Sequence, residues 1–288
     1  MGVDAVGRWA AATVLAAVTW GGCADAEEGC LDYRALRVDL NAETACDDCC
    51  DYPGVTLQQV VARVDTGGVR LVRTTDSLAT AAGDTVLLTA LSYFLHDVAL
   101  ELADGTLLPL LDTFSVREDV SRELALAERS LLRVSPLRTP RMQTGTLLQA
   151  GEVVAWRARF GLPADLVAAD ARAQPSTSPL AIPLDTALLT VDPATPARRF
   201  RSAVLVRRRL GGTAGGGPDS VVVAGGAAVD LRVALPTPFP LRRSYNLEVA
   251  LVLPVTALVD LPAGETAAAD FASALFGGAY VDAVRESR

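Results

Sequence analysis

Side chains that bind transition metals or transfer protons at neutral pH are scarce in this sequence. Its 288 residues contain one His, two Met, three Trp and five Cys, and beyond Cys23 the first three types are reduced to His96, Met142 and Trp156. Imidazole and thioether groups suit copper, so His96 and Met142 are the candidate copper ligands. A single imidazole would need helpers such as a Tyr, a carboxylate or a modified Trp156. Zinc sites with two or three His ligands are excluded within one chain.

Most enzyme classes are disfavoured by the residue types that are missing. All 26 basic residues are Arg, so Schiff-base chemistry and a phosphate-binding P-loop lysine are excluded. A Ser-His-Asp triad would have to use His96, and no Gly-x-Ser-x-Gly segment supplies its nucleophile. The net charge of −8 and the pI of about 4.8 disfavour nucleic-acid binding. We therefore expect a protein that is not an enzyme and does not bind nucleic acid.

His96 lies in a segment that predicts a β-strand, Thr85–Leu102, which is rich in strand-forming residues. Side chains alternate between the two faces of a strand, and this alternation places His96 on one face with Phe94, Val98 and Leu100. Apolar neighbours favour a buried imidazole that is hydrogen-bonded to the backbone or to a Tyr. The alternatives are a metal ligand and an exposed position at a strand end.

The N-terminus resembles an export signal. Arg8 precedes a run of about 12 mainly apolar residues, which suits a signal peptide and is too short to span a bilayer. The run ends in Gly21-Gly22-Cys23, and small residues before a Cys resemble the site at which bacterial lipoproteins are cleaved and lipidated. We expect residues 1–22 to be a signal peptide and Cys23 to carry the lipid, as the only contact with a membrane. The alternative is ordinary cleavage near Gly22, which leaves Cys23 as a free thiol.

Four cysteines follow Cys23, namely Cys30, Cys46, Cys49 and Cys50. In an exported protein, an even set of this kind predicts disulfides. A bond between the adjacent Cys49 and Cys50 would be strained. Two pairings remain: Cys30–Cys49 with Cys46–Cys50, or Cys30–Cys50 with Cys46–Cys49. The competing interpretation is a zinc site, because Cys46-x-x-Cys49 has ligand-like spacing.

These cysteines belong to a short acidic segment, residues 23–53. Residues 24–52 hold nine acids and two Arg, whereas residues 53–288 are close to neutral. A segment of this size cannot bury a core and would depend on its disulfides, so we expect a Cys-rich module or linker before one domain at 54–288. A solvated acidic surface is favoured over a calcium site, because the candidate oxygen ligands are irregularly spaced. They belong to Asp32, Asp39, Asn41, Asp47 and Asp48.

The pattern from Val55 onward predicts a mainly β fold. Asp104-Gly105 predicts a hairpin turn after Thr85–Leu102. Other strand-forming segments, separated by turns, are Val69–Thr74, Leu107–Leu111, Val153–Phe160, Ser202–Arg209, Ser220–Val223, Ala228–Ala234 and Tyr245–Leu253. Seven or more such strands predict an antiparallel β-sandwich of the immunoglobulin-like type. Helical spacing predicts helices over Asp119–Leu132 and Thr266–Ala283, the second as a C-terminal helix packed on the sandwich.

The densest basic region comprises Arg198, Arg199, Arg201 and Arg207–Arg209. Because residues 203–206 between them are apolar, we expect a strand whose middle is buried and whose flanking arginines are solvated. The alternative is specific binding of an anionic lipid surface, an acidic protein or the chain's own acidic module.

A set of short motifs within residues 55–255 shares its order and spacing with one protein family. The motifs are Ser92–Leu100, Asp104–Thr106, Pro109–Leu111, Gly145–Gly151, Trp156–Pro163 and Ser178–Leu180. Together they resemble the MbnP-like proteins, which are periplasmic, often lipid-anchored, copper-associated domains found beside methanobactin operons and more widely. The resemblance implies a protein of the periplasm or cell surface, copper as the bound metal, and a di-haem peroxidase-type or other periplasmic partner.

The chain departs from that family where copper ligands would be expected. The family has an Asn-His pair shortly after its Gly-Val-Pro, and the corresponding stretch Ala164–Asp170 contains no His. The family's Met-x-Trp-x-Trp segment should fall near Thr186–Phe200, which contains no Met, Trp or His. The resemblance therefore implies the fold and the compartment, and leaves the copper site open.

Two functions remain as hypotheses. The first is an exported, lipid-anchored copper-binding protein of MbnP-like architecture that uses His96 or Met142 in an unusual site. The second is a non-catalytic lipoprotein that kept the sandwich and binds a protein or small ligand without metal.

Overall fold

The computed structural model describes residues 26–46, 48–110, 112–117, 125–167, 169–171, 173–181, 188–191, 198–210 and 217–287. Its strands are β1 (Glu28–Gly29), β2 (Thr44–Ala45), β3 (Gly54–Asp65), β4 (Gly68–Leu71), β5 (Ser77–Ala79), β6 (Thr85–Leu102), β7 (Leu107–Pro109), β8 (Thr113–Val116), β9 (Ala125–Glu128), β10 (Leu131–Val134), β11 (Arg141–Thr146), β12 (Gly151–Phe160), β13 (Leu189–Val191), β14 (Arg198–Leu210), β15 (Pro218–Ala224), β16 (Val229–Leu241), β17 (Asn246–Pro254), β18 (Gly264–Glu265) and β19 (Tyr280–Ser287). Its helices are α1 (Ala164–Val167), α2 (Ala268–Phe276) and a 3-10 helix at Leu258–Asp260.

Two sheets form the sandwich that the sequence predicts. The large sheet runs in the order β16-β12-β6-β14-β15-β18, and β5, β7, β10 and β13 pair along its strands. The small sheet runs in the order β11-β3-β17-β19, with β4 paired to β3. Most pairs are antiparallel, but β17 lies parallel to β3 and β18 lies parallel to β15. The mainly β, sandwich-type fold is therefore confirmed, with parallel pairs that the strand pattern did not predict.

The main core lies between the two sheets. Alternate residues of β3 point into it, as do alternate residues of the large-sheet strands, and α2 packs on it with Phe271 and Leu275. One polar pair crosses this core: the Tyr93 hydroxyl donates to the Gln59 Oε1 atom, and both residues are fully buried. Burial raises the pKa of the Tyr93 phenol well above its usual value. This hydrogen bond joins β6 of the large sheet to β3 of the small sheet.

A second, smaller core lies on the other face of the large sheet. We call the elements that cover this face the cap: β8, β9, α1 and residues 169–181 in their described part. Phe94 and Phe200 of the sheet meet edge to face here at 6.3 Å, and cap residues such as Phe114 and Leu166 pack over them. Because of the cap, β6 is buried on both faces along much of its length. The strand pattern gave no sign of this layer.

Both predicted helices are corrected by the structure. Asp119–Leu132 is not a helix in its described part, because β9 pairs with β8 and β10 pairs with β6; positions 119–124 lie outside the described residues. Pairing with neighbouring strands outweighs helix propensity there. The C-terminal helix is present, but it ends at Phe276 instead of Ala283. The Gly277-Gly278 pair follows, and the chain continues as β19 along β17.

Arg207 corrects the prediction that the arginines flanking the middle of β14 are solvated. Its side chain is 2% exposed, and its Nε atom donates to Asp219 Oδ1 at 2.7 Å. Its Nη1 atom donates to the backbone oxygen of Val259 at 2.6 Å. The strand alternation continues inward through this position, so the guanidinium ties β14 to β15 and to the 3-10 helix. Arg208 and Arg209 are exposed.

We predict that Arg207→Leu destabilises the protein by about 1–3 kcal/mol, because it leaves the backbone oxygen of Val259 without its buried donor, while Asp219 keeps Arg209 as a partner. The neighbouring Arg208→Leu is the matched control and should change stability by less than about 0.5 kcal/mol, since its side chain is exposed. Chemical denaturation of both variants checks this. Equal losses in the free energy of unfolding for the two substitutions would contradict a stabilising role for the buried hydrogen bonds of Arg207.

Candidate functional site

The site that the chemistry of the sequence favours is centred on His96, and β6 positions it in the middle of the large sheet. His96 lies opposite Leu131 of β10 on one side and opposite Arg159 of β12 on the other. The whole His96 residue is 2% exposed. The prediction of a buried imidazole is therefore confirmed.

A β-bulge at Asp97 changes the face to which the following residues point. Along β12, Arg157 pairs with Ala99 and Arg159 pairs with His96, so β6 carries one extra residue between these two pairs. Asp97 occupies the bulge with φ of 50°, a conformation that is uncommon for a residue other than Gly.

Because of this bulge, the prediction that His96 shares a face with Val98 and Leu100 is wrong. Val98 and Leu100 point into the main core, whereas Phe94, two residues before His96, packs in the core under the cap. Two-residue alternation cannot continue through an inserted residue, so His96 lies on the cap side of the sheet.

Asp97 also holds the imidazole. The His96 Nδ1 atom lies 3.0 Å from Asp97 Oδ2, and because a carboxylate only accepts hydrogen bonds, Nδ1 carries the proton. The predicted partner was the backbone or a Tyr, and the adjacent carboxylate takes that place. The Nε2 atom is buried and has no hydrogen-bond partner among the described residues. His96 therefore presents one unused lone pair beneath the sheet surface.

Residues that sequence reasoning did not single out complete the surroundings. Ser130 fixes the bulge, since its backbone oxygen accepts from the Asp97 amide at 3.2 Å and its Oγ accepts from the Val98 amide at 2.6 Å. Arg159 Nη1 lies 3.8 Å from Asp97 Oδ2. Arg129 pairs with Asp165 of α1 at 2.9 Å. The strand predicted over Val153–Phe160 carries Arg157 and Arg159 on one face, a pattern that could have indicated an arginine near β6.

The pKa of His96 lies below its usual value. Burial is the largest cause, and the positive charges of Arg159 and Arg129 act in the same direction. The Asp97 carboxylate opposes them, both by its charge and by its hydrogen bond. His96 is therefore a neutral imidazole at neutral pH.

The structure does not bring the two predicted metal ligands together. Met142 lies on β11, opposite Leu57 of the small sheet, and packs against the main core. His96 faces the cap on the other side of the large sheet. Trp156 is buried in the main core as well. Within the described ranges, no three His, Cys, Asp or Glu side chains are grouped so that they could hold a metal ion.

The Cys-rich module is closed by two disulfides, Cys30–Cys50 and Cys46–Cys49. This decides between the two pairings that the sequence left open, and it takes up the cysteines of the competing zinc site. Disulfides of this kind are typical of an oxidising, extracytoplasmic compartment.

The module also contacts the sandwich. Ser244 Oγ donates to the backbone oxygen of Tyr33 at 3.1 Å, and the guanidinium of Arg243 lies 5.3 Å from the centre of the Tyr33 ring. Ser244 adopts φ of 62° in this turn.

Asp32 and Asp39 have hydrogen-bond partners within the module. Asp32 accepts from Arg34 at 2.7 Å and from the Tyr52 hydroxyl at 3.0 Å, and these hydrogen bonds, that of Arg34 first, hold the pKa of Asp32 well below its usual value. Asp39 accepts from the Asn41 amide. Asp47 lies outside the described residues, as do the predicted signal peptide and Cys23. No helix in the described part of the chain is long and apolar enough to cross a membrane.

We predict that His96 titrates below the ordinary pKa of about 6.5. The chain has a single His, so one imidazole signal in an NMR pH titration reports this pKa without assignment. Asp97→Asn should lower it further, because the opposing carboxylate charge is removed. A pKa at or above the ordinary value, or one that rises in Asp97→Asn, would contradict the geometry.

The same shift predicts acid sensitivity. The unfolded chain binds a proton at His96 at a higher pH than the folded chain does. The free energy of unfolding should therefore fall as the pH drops through about 6.5 and below. Denaturation curves of the wild type and of His96→Gln across this range check it, since the variant should lose this part of the pH dependence. If the free energy of unfolding depended on pH in the same way in both proteins, protonation of His96 would not be what destabilises the fold at low pH.

Comparison with known proteins gives one structural likeness. No family model matches the chain, and no curated protein matches it. Among solved structures, MbnP from Methylosinus trichosporium is similar at a TM-score of 0.41 and 11% sequence identity, over 75% of this chain and 80% of that chain. At this identity and TM-score, the likeness does not show that the chain belongs to the family of that protein.

Proposed function

We propose that this chain is an exported protein, anchored to a membrane through a lipid on Cys23, that acts by binding a partner and not by catalysis. The observation that carries the proposal is the pair of disulfides that closes the module directly after the signal-like N-terminus. Stable disulfides belong to compartments outside the cytosol, and the sequence before them ends in the lipobox-like Gly21-Gly22-Cys23. In this proposal, residues 1–22 are removed, 23–53 form the module and 54–288 form the sandwich domain.

The binding role is supported by the state of the single imidazole in the chain. His96 is buried and neutral, and its Nδ1 proton is held by Asp97. Three grooves formed by described residues have volumes of about 290 to 420 Å³, which is near the lower end for small-molecule sites. We infer from these features that the protein recognises a periplasmic or surface protein.

Copper binding is the second candidate, and one observation favours it. A ligand His commonly has its other ring nitrogen fixed by a carboxylate, and His96 has this arrangement with its Nε2 atom unused. The rest of the surroundings does not fit a copper ion. Met142 lies in the other core, and Arg129 and Arg159 place positive charge near the imidazole. A di-haem peroxidase-type partner belongs to this candidate only.

We predict that mature protein from the bacterial envelope begins at Cys23 and carries acyl chains on that residue. Intact mass and detergent phase partitioning check this, with Cys23→Ser as the variant that should lose both the added mass and the partitioning into detergent. A mature protein with a free Cys23 thiol would contradict the anchor. A mature protein that retains residues 1–22 would contradict export.

We predict well under one equivalent of copper in protein purified from the envelope after copper loading. Metal analysis of the wild type, His96→Gln and Met142→Leu checks this. One equivalent that is lost in His96→Gln and kept in Met142→Leu would overturn the metal-free role and establish His96 as a copper ligand.

A further inference from the structure

The β3–β4 hairpin projects beyond the small sheet and leaves apolar side chains exposed. β17 accompanies β3 only as far as Ala62, which pairs with Pro254. Beyond that point β3 continues in the hairpin with β4 alone. Val64 pairs with Val69, and Leu71 pairs with Ala62, so these side chains share one face. Val64, Val69 and Leu71 are 44%, 49% and 63% exposed.

The opposite face of the hairpin is basic. Arg63 pairs directly with Arg70 across the two strands, and like charges placed directly opposite each other are destabilising. Arg63 is partly compensated by Asp65 at 3.3 Å. Residues 62–73 hold three Arg and one acid. An acidic surface against this face would remove the repulsion. The hairpin therefore fits a partner that reaches both faces, with acidic groups on this face and apolar groups on the other.

The acidic module of this same chain has that composition. Residues 24–52 hold nine acids and two Arg. The module also exposes large apolar side chains: Leu40 is 90% exposed, Tyr33 is 64% exposed and Leu31 is 44% exposed. Exposed apolar groups inside a charged surface are typical of an interaction site.

The two surfaces cannot meet within one molecule. The module joins β3 at its first residue, Gly54, and contacts the turn at Ser244 just before β17. The hairpin lies at the other end of β3. The ten residues from Gly54 to Val64 span about 33 Å at the rise of a strand. Contact between the surfaces therefore requires two copies of the chain.

We propose that copies of this protein associate head to tail, with the acidic module of one copy on the basic, apolar hairpin of the next. The contact joins two different surfaces, so it adds copies in an open row and does not close as a symmetric dimer. The exposed side chains of the hairpin are few. The association is therefore weak in solution and is weakened further by salt.

Sedimentation equilibrium of residues 24–288, from which the signal-like segment and the acyl group are both absent, tests the proposal. The average mass should rise above the monomer mass at concentrations up to about 1 mM, as expected for a small interface, and should fall in high salt. R63E/R70E in the hairpin and L40S/E43R in the module should each lower the association constant about tenfold or more, because each places like charges across the contact. Glu128→Arg, a charge reversal at an exposed residue of β9 in the cap on the other face of the large sheet, is the control and should leave the association unchanged.

Mixing the two defective variants separates this contact from any other. R63E/R70E keeps an intact module, and L40S/E43R keeps an intact hairpin, so the mixture should form 1:1 dimers through one unaltered contact and should associate more strongly than either variant alone. A wild type that stays monomeric at every concentration would overturn the proposal. An association constant that is the same for R63E/R70E as for the wild type would also overturn it, and so would a mixture that fails to form dimers. None of these results bears on export, anchoring or copper.

Discussion

The structure depends on strand β6, whose side chains pack into both hydrophobic cores, the main core on one face and the core under the cap on the other. Its 18 residues run through the centre of the large sheet, with the small sheet on one face and the cap on the other. A strand without irregularity would keep every second residue on one side. The bulge at Asp97, with φ of 50°, returns Val98 and Leu100 to the main core and leaves Phe94 and His96 under the cap. An earlier register shift along β14, between Leu88 and Ala90, also changes the face to which the residues of β6 point. The position of His96 follows from both irregularities, and Ser130 holds the second by accepting hydrogen bonds from two amides at the bulge.

Local pattern was enough to predict the sandwich and the bounds of β6. The same pattern gave wrong predictions for segments whose secondary structure is set by pairing with strands that are distant in the sequence. Ala125–Glu128 has helix-forming composition but pairs with β8, and Tyr280–Ser287 follows a glycine pair and pairs with β17. For the site, burial of His96 was predictable from its apolar neighbours, but its face was not, because an inserted residue leaves no periodic signal. Arg207 lies on the inward alternation of β14 and was misassigned because its charge suggested solvent.

The ionisable side chains of Arg207 and His96 are buried beside a carboxylate, and most of the excess negative charge of the sequence lies in the module. Arg207 has Asp219 and a backbone carbonyl, and His96 has Asp97, so both buried polar groups are held by a neighbouring carboxylate. In the described part of the module, Glu27, Glu28, Glu43, Asp48 and Asp51 are exposed, and the disulfides Cys30–Cys50 and Cys46–Cys49 hold its shape.

The central claim is that Asp97 fixes His96 as a neutral imidazole with its proton on Nδ1 and an unused lone pair on Nε2. Nitrogen-15 NMR of the one imidazole in the chain tests this most directly, because protonated and unprotonated ring nitrogens have well-separated shifts. The account predicts a protonated Nδ1 and an unprotonated Nε2 at neutral pH. A proton on Nε2, or two averaged shifts from a ring that exchanges between tautomers, would contradict it.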